Sequence, residues 1–395
     1  MSQRRLRSWP VALLAIGSLA LTACQANDSG PGSSAEEPST AQPAPSLRLV
    51  SSVKKGARDV PVDREVTVEA RGGTIENVAL TSSDGALEGD LSGDGSSWAA
   101  TDRLEPGTSY TLTTTARKAD GTEVTRKTRF STRALSLDEQ TYPSVAPLNG
   151  ETVGVGMPVI VTFDLPVEDK AEFERHMTVT SKPAQVGSWH WLSDTEAHWR
   201  PKAYWKAGTD VHVDIDVNSV DAGNGIYGQE GRELDFKVGD AHVYKVSAVT
   251  HQMKVFKNGK LLRTIPITTG EQPRFTTRSG VKVIIEKFDS KTMNSETVGI
   301  TGADAYNIDN VQWAMRVPYS GEFIHAAPWS VGSQGHANVS HGCTGMSTEN
   351  AGWLYAMSRR GDVVEYTGTD KPMTLDNGYG DWNASFAEYR KGSAL

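Results

Sequence analysis

The sequence predicts a mainly β protein: two immunoglobulin-like β-sandwiches followed by a third β-rich domain with few helices. Three observations point there. Short segments alternate polar and apolar side chains, Gly-, Asp- and Asn-rich turns separate them, and the same grammar restarts twice along the chain.

The chain opens on a positive cluster, Arg4, Arg5 and Arg7, ahead of the apolar run Val11 to Leu21. That run is too short to span a bilayer as a helix, and residues 1–23 read as an export signal. It ends in Leu21-Thr22-Ala23-Cys24, which resembles the lipobox of bacterial lipoproteins; the resemblance implies lipidation of Cys24 and cleavage before it. An ordinary secretory signal with an accidental cysteine is the alternative. The expected location is outside the cell membrane, held there by lipid and facing the wall.

Residues 24–46 are rich in Ser, Pro, Ala and Gly and hold too little apolar surface to offset the entropy of ordering, so they read as a disordered tether. From 47 to 134, Val66-Thr67-Val68-Glu69-Ala70 and Tyr110-Thr111-Leu112-Thr113-Thr114 alternate between turns such as Ser83-Asp84-Gly85, which predicts the first sandwich. The second, 135–239, contains Val159 to Phe163 and the period-two run Val211 to Val217. Both read as spacers. His190, His198 and His212 lack cysteine or carboxylate at ligand spacing, so no metal and no cofactor is expected.

The third domain, 240–368, begins with strand-like runs on either side of Asn258-Gly259, a type I′ hairpin signal because both turn residues need positive φ. One helix is predicted over Thr348 to Arg359, with Ser347 as its cap and Trp353, Leu354 and Met357 as its apolar face. A tail, 369–395, is expected to pack on this domain.

The formal net charge is −8, and it becomes more negative once the arginines of the signal are removed. Such a balance disfavours nucleic acid as a partner but does not exclude a neutral wall polymer. Only Cys24 and Cys343 are present. If Cys24 carries lipid through its sulfur it cannot form a disulfide, and an exported thiol at Cys343 is a liability unless it does chemistry.

The chemistry concentrates in Phe323-Ile324-His325-Ala326-Ala327-Pro328-Trp329 and, after fourteen residues intervening from His325, Ser340-His341-Gly342-Cys343-Thr344-Gly345. A thiol near pKa 8.5 is mostly protonated at neutral pH and needs a base, for which imidazole is suited. The glycine before Cys343 permits a tight turn that aims amide N–H groups at an oxyanion. On spacing alone His325, His336 and His341 all compete as the base. A His-His-Cys zinc site is the other reading of the same residues, without a further thiol or carboxylate to complete it.

This pattern resembles the L,D-transpeptidase catalytic domain, in its lipid-anchored actinobacterial form. The resemblance extends over the order of export signal, two immunoglobulin-like modules, catalytic domain and a Gly380-Asp381-Trp382-Asn383 tail. It implies that Cys343 attacks the carbonyl between the third and fourth residues of a peptidoglycan tetrapeptide stem, releases D-alanine, and passes the acyl group to a side-chain amine of another stem. It also implies His325 as base, oriented by the carbonyl of Ala326, and oxyanion donors at Gly342 and Cys343. Ser340 and His341 would shape the site, Trp329 would form a substrate wall, and Met293 and Tyr306 would belong to a flap. Relatives often carry Ser at position 326 and Asn at position 345, where this chain has Ala326 and Gly345. β-Lactams of the carbapenem class are the implied covalent inhibitors. Water or a protein amine as acceptor, and a non-catalytic wall-binding lipoprotein, remain the alternatives.

Overall fold

The computed structural model describes residues 46–395. The signal-like segment, Cys24 and the tether up to residue 45 lie outside the described residues.

The first module is a pair of four-stranded sheets, Arg48–Ser51, Thr67–Arg71, Ser97–Ala100 and Gly89–Leu91 against Ala86–Leu87, Gly73–Thr81, Ser109–Lys118 and Glu123–Ser131. Side chains alternate across a strand, so Tyr110, Leu112, Thr114 and Ala116 turn inward while their neighbours face out. They close on Val66, Val68, Leu80, Trp98 and Phe130. In the second module, the sheet Pro143–Ala146, Val159–Phe163, Glu196–Pro201 and Gly187–Trp191 faces Thr152–Val153, Arg232–Val238, Asp210–Ile215 and Met177–Lys182. Val211, Val213 and Ile215 point into a core built around Trp189, Trp199 and Trp205.

The third domain packs a five-stranded sheet, ordered Lys260–Pro266, Gln252–Lys257, His242–Ser247, Val363–Thr367 and Gly280–Val283, on a four-stranded one, Glu286–Asn294, Asn307–Arg316, Phe323–Ala326 and Thr344–Met346. Asn258 and Gly259 have φ of 49° and 79°, as a type I′ turn requires. The helix spans Thr348–Met357, and the Ser347 hydroxyl accepts from the Asn350 N–H as its cap. It stops before Arg359 because Ser358 turns extended, and the Lys287 ammonium takes the carbonyls of Tyr355 (2.8 Å) and Ser358 (2.6 Å). Its buried residues are Ala351 and Leu354; Trp353 lies half-buried under the Arg263 guanidinium instead.

The second sandwich is more than a spacer. Its core runs on into Val283, Ile285, Val363 and Tyr379 of the third domain. Gly156 makes this contact possible, since a Cβ there would lie 2.6 Å from a methyl of Val363. The tail packs on the third domain, as expected, and reaches the second sandwich as well. Asn383 pairs through its amide with both backbone groups of Val281, while the Trp382 indole N–H donates to Gly156 O. Asp381 is fully buried and meets His198 Nδ1 at 3.0 Å, and Tyr389 OH donates to the same carboxylate. Burial alone would lower the His198 pKa, but the carboxylates of Asp381 and Glu196 push it up to about 9. His190 instead meets Tyr389 O, and His212 meets Asp235, so the three histidines serve separate partners.

Candidate functional site

The strand Phe323–Ala326 is buried along its whole length and runs parallel to Thr344–Met346, with His325 opposite Gly345. Cys343 directly precedes the strand Thr344–Met346 and lines the same cavity as His325. Gly345 has no side chain to intervene. A Cβ there would lie 2.8 Å from the Ala327 Cβ and 3.1 Å from a Thr268 methyl, so the packing beneath accounts for glycine at this position.

His325 is buried, and its Nδ1 lies 2.8 Å from the carbonyl oxygen of Ala326. A carbonyl can only accept, so Nδ1 carries the proton and Nε2 is left as the basic nitrogen. The bond uses the backbone of Ala326, and a methyl side chain there costs it nothing. Burial holds the imidazole below its ordinary pKa despite that carbonyl. Trp329, 57 % exposed, stacks on the ring at 5.9 Å and forms an outer wall.

Cys343 is 8 % exposed, and burial pushes its thiol up to about 11, against the opposing pull of the Phe323 N–H. Its Sγ lies 3.9 Å from the Gly321 carbonyl oxygen. Thiol and imidazole therefore both rest neutral.

The Gly342 N–H donates to Ser340 Oγ at 3.2 Å, and that hydroxyl donates in turn to the Cys343 carbonyl at 2.5 Å. The Gly342 carbonyl is held by Thr277 Oγ1 at 2.7 Å. The turn needs φ of 126° at Gly342, which favours glycine for its own sake. Among the described residues the Cys343 N–H has no protein acceptor, so it is the donor left available.

His341 does not sit under the thiol, since Cys343 precedes the strand and the Gly342 turn swings position 341 outward. It is exposed and packed between Phe275 (4.4 Å) and Tyr306 (4.8 Å). His336 is exposed on a neighbouring loop. Tyr306 and Met293 belong to the segment that crosses above Cys343, pinned by reciprocal bonds between the backbones of Ser295 and Tyr306 and the Ser295 hydroxyl. Two cavities meet at the thiol. One of about 310 Å³ is lined by His325, Trp329, His341 and Cys343, and the other, about 200 Å³, by Arg316, Tyr319, Phe323 and Cys343. Met293 and Tyr306 border both. A roomier hollow of about 530 Å³ lies on the second sandwich around Thr180 and Asp210 and has no cysteine in its lining.

Thr268, Thr277, Glu322 and Lys282 support the site and were not singled out from the sequence. Thr268, Thr277 and Lys282 reach it from distant strands or loops, and Glu322, although next to the strand of His325, belongs to no motif that marks its role.

Comparison with known proteins gives consistent results. Residues 241–365 match the family model of the L,D-transpeptidase catalytic domain, and 57–221 that of a bacterial Ig domain, a single match running across both sandwiches. The chain is 36% identical over 351 residues to L,D-transpeptidase 2 of Mycobacterium tuberculosis, covering 88% of this chain and 85% of that protein. It is 35% identical over 362 residues to L,D-transpeptidase 5 of the same species, covering 90% and 78%. The solved structure of the LD transpeptidase LdtMt1 in complex with imipenem is 36% identical, with a TM-score of 0.50 over 57% of this chain and 97% of that one.

Proposed function

This chain belongs to the L,D-transpeptidase family, and we propose that it cross-links peptidoglycan by acyl transfer through a thioester on Cys343. The observation that carries this reading is the bond from His325 Nδ1 to Ala326 O, which leaves Nε2 as a base in the cavity that Cys343 lines.

In the first half-reaction His325 Nε2 takes the thiol proton as Sγ attacks the carbonyl between the third and fourth residues of a donor stem. The oxyanion forms beside the Cys343 N–H. Collapse breaks the C–N bond, and the imidazolium returns its proton to the leaving D-alanine amine. In the second, a side-chain amine of another stem attacks the thioester, loses a proton to His325, and expels the thiolate. The two cavities that meet at Cys343 let donor and acceptor approach the sulfur from different sides.

Incubating the protein with a disaccharide-tetrapeptide and weighing the products tests this directly. A dimer lighter than two substrates by one D-alanine is expected; tripeptide alone would indicate water as acceptor, and unchanged substrate a binding module. Carbapenem acylation of Cys343 belongs to the same proposal and is supported by the relative solved with imipenem. We also place the protein on the outer membrane surface through lipid on Cys24, on the strength of the lipobox-like sequence. Cys24→Ala should then appear in the soluble fraction, and its retention in salt-washed membranes would contradict the anchor.

A further inference from the structure

A lysine lies inside the domain beside the thiol. Lys282, on the strand Gly280–Val283, is 0 % exposed, and its ammonium sits 3.7 Å above the Tyr366 ring and is paired to the Glu322 carboxylate. Charges are not buried so deeply without compensation.

Glu322 explains the arrangement. It directly precedes the buried strand that carries His325, and its Oε1 accepts from both the backbone N–H and the guanidinium of Arg278, each at 3.1 Å. That fixes the loop whose Thr277 hydroxyl holds the Gly342 carbonyl. The carboxylate thus fastens the turn that presents Cys343. It does so at an electrostatic cost: the Glu322 Cγ lies 3.7 Å from where a Cβ on Gly342 would stand, one residue from the thiol, and an anion there opposes a second negative charge on the sulfur. The Lys282 charge acts on the sulfur in the opposite sense.

Arg278, the other cation on Glu322, is partly exposed to solvent, whereas Lys282 is fully buried, and the remaining titratable groups facing Cys343 supply no further cation. His325 rests neutral, and Tyr306 and Tyr366 are phenols kept neutral by burial. Exposed His341 lies on the solvent side of the turn.

We propose that Lys282 is a positioning residue for the reaction: it offsets the Glu322 carboxylate, so that the turn can be fastened by an anion while Cys343 still ionises during attack. The inference rests on Cys343 as nucleophile. Tyr366 ties the same centre to the nucleophile strand, since its hydroxyl lies 2.7 Å from Thr344 Oγ1.

The test is the rate of alkylation by iodoacetamide, followed by mass on the peptide containing Cys343 in the full chain, at fixed pH. Lys282→Met leaves Glu322 ionised and paired only with the partly exposed Arg278, without the buried cation, and alkylation should slow by roughly tenfold, the equivalent of one pKa unit. A merely structural lysine predicts the reverse, because loosening the core exposes the thiol and speeds alkylation. In the double variant Lys282→Met/Glu322→Gln the rate should recover, as the opposing anion is gone. Faster or unchanged alkylation in the single variant, or no recovery in the double, overturns the proposal. Should Lys282→Met fail to fold, Lys282→Gln keeps a donor for Glu322 and carries the same expectation. Alkylation reads the thiol whatever its substrate, so failure here is distinct from failure of the acyl-transfer reading, which a missing thioester would reveal.

Discussion

His325 donates its Nδ1 proton to the Ala326 carbonyl oxygen at 2.8 Å, and this contact decides which nitrogen of the ring faces the cavity. Because the acceptor is backbone, the contact needs only the local path of the strand Phe323–Ala326 and is indifferent to the side chain at 326. Ala326→Ser should accordingly leave the acylation rate within about twofold of wild type, measured by carbapenem consumption, since neither the ring orientation nor its tautomer changes. A tenfold change in either direction would mean that the hydroxyl enters the chemistry.

Burial holds His325 below its ordinary pKa, and catalysis needs the neutral ring. A base with a depressed pKa stays neutral to lower pH, so the acid limb of the acylation rate should fall below about 6.5, the value for free imidazole. The burial-raised thiol places no second fall near neutrality, because the proton moves to His325 during attack. A pH series of carbapenem acylation would contradict this if the acid midpoint lay above 6.5.

Ser340 fastens the turn through two hydrogen bonds, one to the Cys343 carbonyl and one from the Gly342 N–H. Ser340→Ala removes both partners and should cost about 1 to 2 kcal/mol of stability by urea titration. Turnover should drop by roughly tenfold or more with little change in KM, because the loss falls on the placement of sulfur and oxyanion donor. A pure KM effect would mean that Ser340 instead contacts substrate.

The tail interlock gives stability a pH dependence of definite sign. His198 is raised to about 9 in the fold against an ordinary 6.5, so its contribution is complete below pH 6.5 and is lost as pH rises through 9. The loss is at most about 3 kcal/mol. Asp381 is held low by His198 despite its burial, so its contribution is lost only on acidification below the ordinary carboxylate range. The melting temperature should therefore decline between pH 6.5 and 9.5, and Asp381→Asn, already less stable, should show a flatter profile over that span. An equal slope in both proteins would remove the interlock as its source.

Much of the architecture was legible because strands announce their buried face by period two, as Val211, Val213 and Ile215 do, and because Asn258-Gly259 states its own turn. The motif and its resemblance to a family singled out His325 and Cys343, whereas spacing alone left three histidines in competition. In the structure His325 is buried opposite Gly345, His341 is exposed between Phe275 and Tyr306, and His336 is exposed on a loop. What periodicity cannot report is the identity of the facing group. His198 meets Asp381 across 183 positions and Lys282 meets Glu322 across 40, so neither pair leaves a local trace.

The central claim is that acyl transfer runs through Cys343, and intact mass spectrometry with peptide mapping after incubation with imipenem tests it most directly. The account predicts one added drug molecule, on the peptide containing Cys343, and none in Cys343→Ser, whose hydroxyl is too weak an acid for this base while the fold is unchanged. An unmodified wild-type protein, or an adduct on another residue with Cys343 free, would contradict it.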